Sequence, residues 1–145
     1  ANVMRALLRE TSSLSEGLWW GTLTDLGVLR ERIVDEGRRS AYVRIAHLFY
    51  EMLVRYRMVG LTDGNSFAFP ITQIDLADAT GITPAHANRM LQKLRANGLI
   101  ELKEGLVSVT DPDRLKDTAQ FCGAYLHLDR EHDRTAVSQR AGDLV

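Results

Sequence analysis

Residues 73–94 read QIDLADATGITPAHANRMLQKL, and this segment has the clearest structural pattern in the chain. Two short helical patterns flank Gly81, a residue that can adopt the positive φ of a tight turn. Ala77 is small enough for the second helix to cross the first closely. The apolar contacts between the two helices are expected from Leu76, Ile82, Ala87 and Met90. This spacing is typical of a helix-turn-helix, with one departure at Thr80, where an apolar residue is usual.

The second helix of this motif has one apolar side and one polar side. Thr83 is a good N-cap and Pro84 fits the first helical position. The residues at i, i+3, i+4 and i+7 of a buried stripe are Ala87, Met90, Leu91 and Leu94. The opposite side and its flanks hold Ala85, Arg89, Gln92, His86, Asn88 and Lys93. Residues 83–97 include three basic side chains and no acidic one, so this side offers hydrogen-bond donors to phosphates and base edges.

An ordinary solvated surface helix is the alternative for this segment, but the elements around it make that interpretation weaker. Asn97-Gly98 closes the helix, and residues 99–102 and 106–109 then predict two strands joined through residues 103–105. A β-hairpin directly after such a helix is predicted to be a wing. A short strand over residues 67–69 precedes the motif, and a last helix from Asp111 to about Phe121, with Leu115 and Ala119 inward, follows it.

Upstream, residues 14–35 form a long helical pattern. Its apolar stripe comprises Leu18, Thr22, Leu26, Leu29 and Ile33, widened by Trp19 and Leu23. Trp19 and Trp20 are adjacent and cannot both face one interior, so the helix has two apolar sides. We interpret it as a helix with two neighbours, one of them a second subunit; packing within one monomer is the alternative.

A further helix is predicted to run to about Met58. Gly37 suits the C-cap of the long helix, and Ser40 suits the N-cap of this one. Its stripe is Ile45, Leu48, Phe49, Met52, Leu53 and Tyr56. His47 lies beside the stripe, and its spacing to the other histidines fits no metal site, so we predict a structural role for it.

Composition bounds the possible classes of protein. The chain has 145 residues, 45% hydrophobic and 26% charged, with a net charge of −1. Positive charge is local: residues 28–60 hold seven basic and four acidic groups, whereas residues 111–145 hold five and seven. A single cysteine, Cys122, excludes an internal disulfide and a cysteine-only metal cluster, and we expect it to be a buried small hydrophobe. Without an apolar run of 18 residues or a signal peptide, the cytoplasm is the expected location.

Several short motifs resemble the Crp/Fnr superfamily of bacterial transcription regulators, over residues 15–128. They are Gly37-Arg38-Arg39-Ser40-Ala41, Arg44-Ile45-Ala46-His47-Leu48, Leu76-Ala77, Gly81-Ile82-Thr83, Asn88-Arg89 and Leu99-Ile100. The resemblance implies a mainly α fold with a small antiparallel β wing: a winged helix-turn-helix preceded by a long dimerisation helix. The expected domains are an N-terminal segment with the long helix (residues 1–36), the DNA-binding domain (residues 37–128) and a disordered tail (residues 129–145).

In that superfamily a cyclic-nucleotide-type β-barrel sensor normally precedes the long helix. This sequence, which begins at Ala1, resembles the C-terminal part of a member. We therefore expect no cofactor in this chain, because any effector would bind the sensor. Leu29-Arg30 also stands where a branch of the family has the Thr–Ser pair that touches cyclic AMP. The expected partners are double-stranded DNA, a second copy of the chain and RNA polymerase, with no membrane.

The resemblance also suggests roles at the DNA. Arg89 matches the family's base-reading arginine, whereas Pro84 and Ala85 replace an arginine and a glutamate of its best-known branch. Thr83 and the helix N-terminus are expected at a phosphate, and Gln73 could touch another. The complete predicted set is Gln73, Thr83, Pro84, Ala85, His86, Asn88, Arg89, Gln92 and Lys93.

Two functions remain open at this stage. The first is a sequence-specific DNA-binding regulator that acts as a homodimer on a two-fold operator. The second is a dimerisation or protein-interaction module that keeps the fold without binding DNA, which the near-neutral net charge and Pro84-Ala85 favour. An enzyme is not expected, because no paired carboxylates, Ser/His/Asp set or phosphate loop has a spacing above chance.

Overall fold

The computed structural model describes residues 12–126. Its elements are α1 (Ser12–Arg38), α2 (Ala41–Met58), β1 (Ser66–Ala68), α3 (Gln73–Ala79), α4 (Pro84–Ala96), β2 (Ile100–Lys103), β3 (Leu106–Val109), α5 (Pro112–Thr118) and a 3₁₀ turn (Gly123–Leu126). The predicted fold class, mainly α with a small antiparallel sheet, is confirmed. The predicted disorder of residues 129–145 lies outside the described residues.

The chain divides into two compact units. Among the described residues, the first unit holds 12–32 and 123–126, and the second holds 33–122. In the first unit, the backbone after α5 passes very close to α1: a Cβ on Gly27 would lie 2.8 Å from the carbonyl oxygen of Tyr125. Because a Cβ carbon does not approach a carbonyl oxygen that closely, any other residue here would force the backbone to shift. One side of α1 therefore packs within this chain.

The other side of α1 carries a row of uncovered apolar side chains. Leu18, Trp19, Leu26, Leu29 and Ile33 are between 46% and 72% exposed, and we call them the exposed apolar stripe. At 100° per residue, Leu18 and Leu29 lie on the side of the helix opposite Gly27. This exposed side fits one of the two apolar sides that the sequence predicts, and its large side chains are uncovered in the part of the chain that the structure describes.

The predicted end of the long helix at Gly37 is wrong. α1 continues through Gly37 to Arg38, and Gly37 is not among the glycines with positive φ. The reason is an i,i+4 ion pair that spans this turn, with Arg39 Nη1 2.6 Å from Asp35 Oδ1. The backbone N–H of Arg39 also donates to the carbonyl of Asp35 at 3.2 Å. Ser40 then caps α2 as predicted, accepting from the Val43 amide.

The core of the second unit forms around α2. The predicted stripe is confirmed: four of its members are buried, and Met52 and Tyr56 pack at the edge of the core. Edge-on contact of Phe49 with Phe69, at 5.1 Å between ring centroids, joins α2 to the segment after β1. His47 is fully buried, with Nδ1 donating to the carbonyl of Ala119 at 3.1 Å. This satisfied ring nitrogen fits the predicted structural role.

The three strands form one antiparallel sheet in the order β1-β3-β2. The predicted hairpin is confirmed, but its loop has two residues: Glu104 and Gly105 both have positive φ, at 51° and 75°. This conformation matches a type I′ turn, the geometry that suits twisted hairpins. β1 ends at Ala68, one residue before the predicted end. Its pairing with β3, with Ser66 opposite Ser108, was not predicted.

The last helix corrects two expectations. α5 begins at Pro112 after the Asp111 cap, as predicted, but ends at Thr118 and not near Phe121. Cys122 is exposed, so the expectation of a buried cysteine is wrong. Ala119 fills the core position and Phe121 packs against the core, while Gln120 between them has a φ of +50°. With those positions filled, the next side chain, Cys122, points to solvent.

Candidate nucleic-acid interface

The first helix of the motif, α3, is held at its start by a capping box. The Thr72 hydroxyl accepts a hydrogen bond from the Asp75 amide at 3.2 Å. In return, the Asp75 carboxylate accepts from the Thr72 hydroxyl at 2.7 Å and from its amide at 2.8 Å. These bonds, the hydroxyl's first, hold the pKa of Asp75 below its ordinary value of 3.8. The start of α3 is therefore set by its own side chains.

The backbone conformation of the turn between the helices favours glycine. Gly81 has a φ of +62°, in the left-handed region that side chains disfavour. A Cβ at this position would lie 3.4 Å from Oε1 of Glu36, in the last turn of α1, which is an ordinary contact distance, so the backbone conformation and not a lack of space favours glycine. The predicted role of Gly81 is confirmed.

The structure shows why threonine is tolerated at position 80. The residue is 3% exposed, and its hydroxyl donates to the carbonyl oxygen of Leu76 at 2.7 Å. A buried hydroxyl with a partner carries little of the desolvation cost of an orphaned one. Threonine can thus occupy a position where an apolar residue is usual.

The second helix, α4, has the predicted sidedness. Its N-cap is Thr83, whose hydroxyl accepts from the amide of His86 at 3.3 Å. Ala87, Leu91 and Leu94 are buried, and Met90 is partly buried against the core. The helix ends at Ala96, Asn97 is its C-cap, and Gly98 follows with a φ of +66°. The core thus fixes which side of α4 faces outward.

The structure brings the nine residues predicted to contact DNA onto one helix pair. Eight lie on α4 or its cap, and Gln73 is the first residue of α3. Those that are exposed are Gln73, Thr83, Pro84, Ala85, Arg89, Gln92 and Lys93; His86 and Asn88 are half-buried. Which of them contact DNA stays a prediction.

Two of these residues are joined directly. The side-chain amide of Asn88 donates to the amide oxygen of Gln73 at 2.9 Å. This bond connects the start of α3 to the middle of α4 across 15 residues. The bond therefore holds these two polar side chains next to each other on the exposed surface of the helix pair.

A second connection, which no sequence pattern predicted, lies at the C-terminal end of α4. The Lys93 ammonium lies 4.9 Å from the centroid of the Tyr42 ring, on α2. The Asn97 side-chain amide donates to the Tyr42 hydroxyl at 2.7 Å. Tyr42 and Asn97 are 55 residues apart, so no local sequence pattern predicts their contact.

Three further points concern the hairpin, metal binding and membrane spans. Lys103, at the end of β2, is exposed and is the only basic residue of the hairpin. Within residues 12–126, no group of three or more His, Cys, Asp or Glu side chains could hold a metal ion. None of the described helices is both long and apolar enough to cross a membrane.

Together, a capped helix pair, a turn at Gly81 and a following β-hairpin define a winged helix-turn-helix, a class of DNA-binding domain. The family profile described as the Crp-like helix-turn-helix domain matches residues 43–118, about half of the chain. The chain belongs to this family, the Crp/Fnr transcription regulators.

Comparisons of sequence agree with this assignment. FnrL of Cereibacter sphaeroides, a transcriptional activator protein, is 30% identical over 117 residues, which cover 78% of this chain and 47% of that protein. A probable transcriptional activator of Rhizobium leguminosarum bv. viciae is 26% identical over 116 residues, or 79% of this chain and 48% of that protein. The chain spans about half the length of the curated relatives it matches.

Solved structures share the fold. FixK2 from Bradyrhizobium japonicum superposes with a TM-score of 0.69 at 21% identity, covering 81% of this chain and 57% of that one. A CooA variant from Carboxydothermus hydrogenoformans gives a TM-score of 0.63 at 20% identity, covering 80% and 53%. At this level of identity the likeness concerns the fold alone.

Proposed function

We propose that this chain binds a two-fold DNA operator as a homodimer, with α4 of each copy in the major groove. The observation that carries the proposal is the sidedness of α4. Its apolar stripe is buried in the core, and its outward side presents Arg89 and Lys93 without an acidic neighbour on the same helix. Such a side can donate hydrogen bonds to phosphates and to guanine edges.

The exposed apolar stripe of α1 supports the homodimer. Soluble monomers seldom leave a row of large apolar side chains in water, and a second copy of the same helix offers a matching row. Full burial of one such side chain contributes about 1.5–3 kcal/mol. In a two-fold dimer the two α4 helices would bind half-sites about one helical turn apart. The predicted contact with RNA polymerase and the domain boundaries at residues 36 and 128 stay predictions.

The deciding experiment measures DNA binding against salt concentration. A duplex selected by the chain from a random library is labelled and titrated at several salt concentrations. We expect two chains per duplex and an affinity that falls linearly on a log–log plot, because each phosphate contact releases counterions. The Arg89→Ala/Lys93→Ala double variant should bind more weakly with a shallower slope. If the wild type selects no duplex and shows no salt-dependent binding, the chain is an interaction module that has kept the fold.

A further inference from the structure

Tyr42 connects the beginning of α2 to the far end of α4. It is the second residue of α2, half-buried, and its ring packs against the core. The Tyr42 hydroxyl accepts from the Asn97 side chain at 2.7 Å, and Asn97 is the C-cap of α4. Packing and this bond together restrict how the ring can turn.

The ring in turn faces a cation. Lys93 Nζ lies 4.9 Å from the ring centroid, within the distance at which an ammonium is attracted to an aromatic face. Lys93 is exposed, and in the part of the chain that the structure describes it makes no ion pair with a carboxylate. The Tyr42 ring is thus the group that restrains a long and otherwise flexible side chain.

We propose that Tyr42 is a positioning residue for DNA binding, whose ring holds the Lys93 ammonium where a backbone phosphate can accept its hydrogen bonds. The inference rests on the proposed function, since Lys93 must contact DNA for its position to matter. A lysine that is restrained before binding loses less side-chain freedom on contact, so the gain appears in affinity. Because phosphates are the same at every base pair, the gain is uniform over sequences.

The experiment is a double-mutant cycle on affinity for the duplex that the wild type selects. Tyr42→Phe and Tyr42→Leu are each measured with Lys93 present and in the Lys93→Ala background. With Lys93 present, Tyr42→Leu should weaken binding about two- to ten-fold, which corresponds to the cost of ordering one long side chain on binding. In the Lys93→Ala background the same change should have no effect. Tyr42→Phe keeps the ring and should bind as the wild type does.

A matched background separates Lys93 from other basic residues. Lys103 is an exposed residue of the hairpin, whereas the Tyr42 ring faces Lys93, so Tyr42→Leu should weaken binding by the same factor in a Lys103→Ala background. An equal loss with and without Lys93 would overturn the proposal and reduce Tyr42 to a packing residue. A loss in Tyr42→Phe as large as in Tyr42→Leu would also overturn it, because the Asn97 bond and not the ring would then be responsible.

One measurement needs no destabilising variant. In the free wild-type chain, the ring current of Tyr42 should shift the ε-methylene protons of Lys93 upfield in NMR, and Tyr42→Phe should keep that shift. An unshifted resonance would overturn the proposal even if Tyr42→Leu fails to fold. Failure of the proposed function is recognised separately, because the wild type itself would then show no salt-dependent binding, and the inference would fall with it.

Discussion

Asn88 and Gln73 share a hydrogen bond, 2.9 Å from the Asn88 side-chain nitrogen to the Gln73 side-chain oxygen. Each residue was predicted separately to contact DNA, yet in the free chain their side chains are hydrogen-bonded to each other. An amide has further donors and acceptors, so the bond leaves capacity for a base edge or a phosphate. The pair therefore restricts two flexible side chains at the surface that α4 presents.

Arg89 is expected to read a base. Its planar guanidinium can donate two hydrogen bonds to the O6 and N7 atoms of one guanine, which a lysine cannot reproduce. Arg89→Ala should cost about 1–3 kcal/mol of discrimination at one base position in each half-site. Site selection from random duplexes measures this as lost information at two symmetric positions.

Two variants control that experiment. Arg89→Lys keeps the charge and should lose the same information, whereas Lys93→Ala should weaken all sequences alike and lower the salt slope by about 1. If Arg89→Ala selects an unchanged site with unchanged information at every position, Arg89 is not the base reader.

The exposed apolar stripe is expected to be the dimer seam. Replacing Leu26 and Leu29 with glutamate puts charges where the second copy would bury apolar surface, so light scattering should report monomers. The same change at Val59 and Leu61, which are 66% and 64% exposed in the second unit, adds equal charge outside α1 and should leave dimers. A Leu26→Glu/Leu29→Glu variant that stays dimeric would place the seam elsewhere.

The hairpin should contribute little and without sequence preference. Lys103 is its only basic residue, so Lys103→Ala should weaken binding to all duplexes by a similar small factor, and Lys103→Arg should restore it. Binding of several unrelated duplexes by fluorescence anisotropy measures this. A change of base preference in Lys103→Ala would contradict the role of the hairpin as a phosphate contact.

Thr80 offers a test of stability with matched substitutions. Thr80→Val keeps the methyl group and loses the hydroxyl; the Leu76 carbonyl still accepts from the Thr80 backbone amide at 3.1 Å. Its effect on the free energy of unfolding should be within about 0.5 kcal/mol. Thr80→Ser keeps the hydroxyl but removes a buried methyl, at about 1 kcal/mol. Urea unfolding compares the two, and a larger loss in Thr80→Val than in Thr80→Ser would contradict this account.

Asp75 should make stability depend on acid pH. Its pKa is lowered in the folded chain, so its bonds with Thr72 stabilise the fold at pH values above the unfolded pKa of about 3.8. That contribution is lost as pH falls through the folded pKa. Asp75→Asn should therefore lower the urea midpoint near neutral pH, and the difference from wild type should shrink as the pH falls below about 3.8. Asp78→Asn, on the same helix without the cap, is the control; an equal shift in both variants would rule out the capping box as the cause.

The parts of the fold that could be predicted are those set by interactions between residues close together in the sequence. Ser40, Thr83 and Asp111 mark helix starts because a cap bonds to an amide three residues on. The end at Gly37 could not be predicted in this way, since a glycine marks a stop only when the backbone turns there, and the Asp35–Arg39 pair carries the helix onward.

What could not be predicted depends on residues far apart in the chain. Tyr42 contacts Lys93 and Asn97 only because α2 packs on α4. β1 pairs with β3 only when the helix-turn-helix between them brings the two strands together. Cys122 is exposed because its neighbours take the core positions. In each case the deciding contact is tertiary, which periodicity does not encode.

The pairing of β1 with β3 has a consequence for how this domain folds. Ser66 of β1 donates a hydrogen bond to Ser108 of β3, 42 residues further along the chain. The whole helix-turn-helix lies in the loop between these two strands. Closing so long a loop costs chain entropy before the contacts are gained, so it slows folding relative to a bundle of local helices. The packing of the helix-turn-helix also depends on the pairing of β1 with β3, the strands on either side of it. A chain truncated after α4 would lack the strand that closes the loop, and the isolated helix pair should lose its fixed packing.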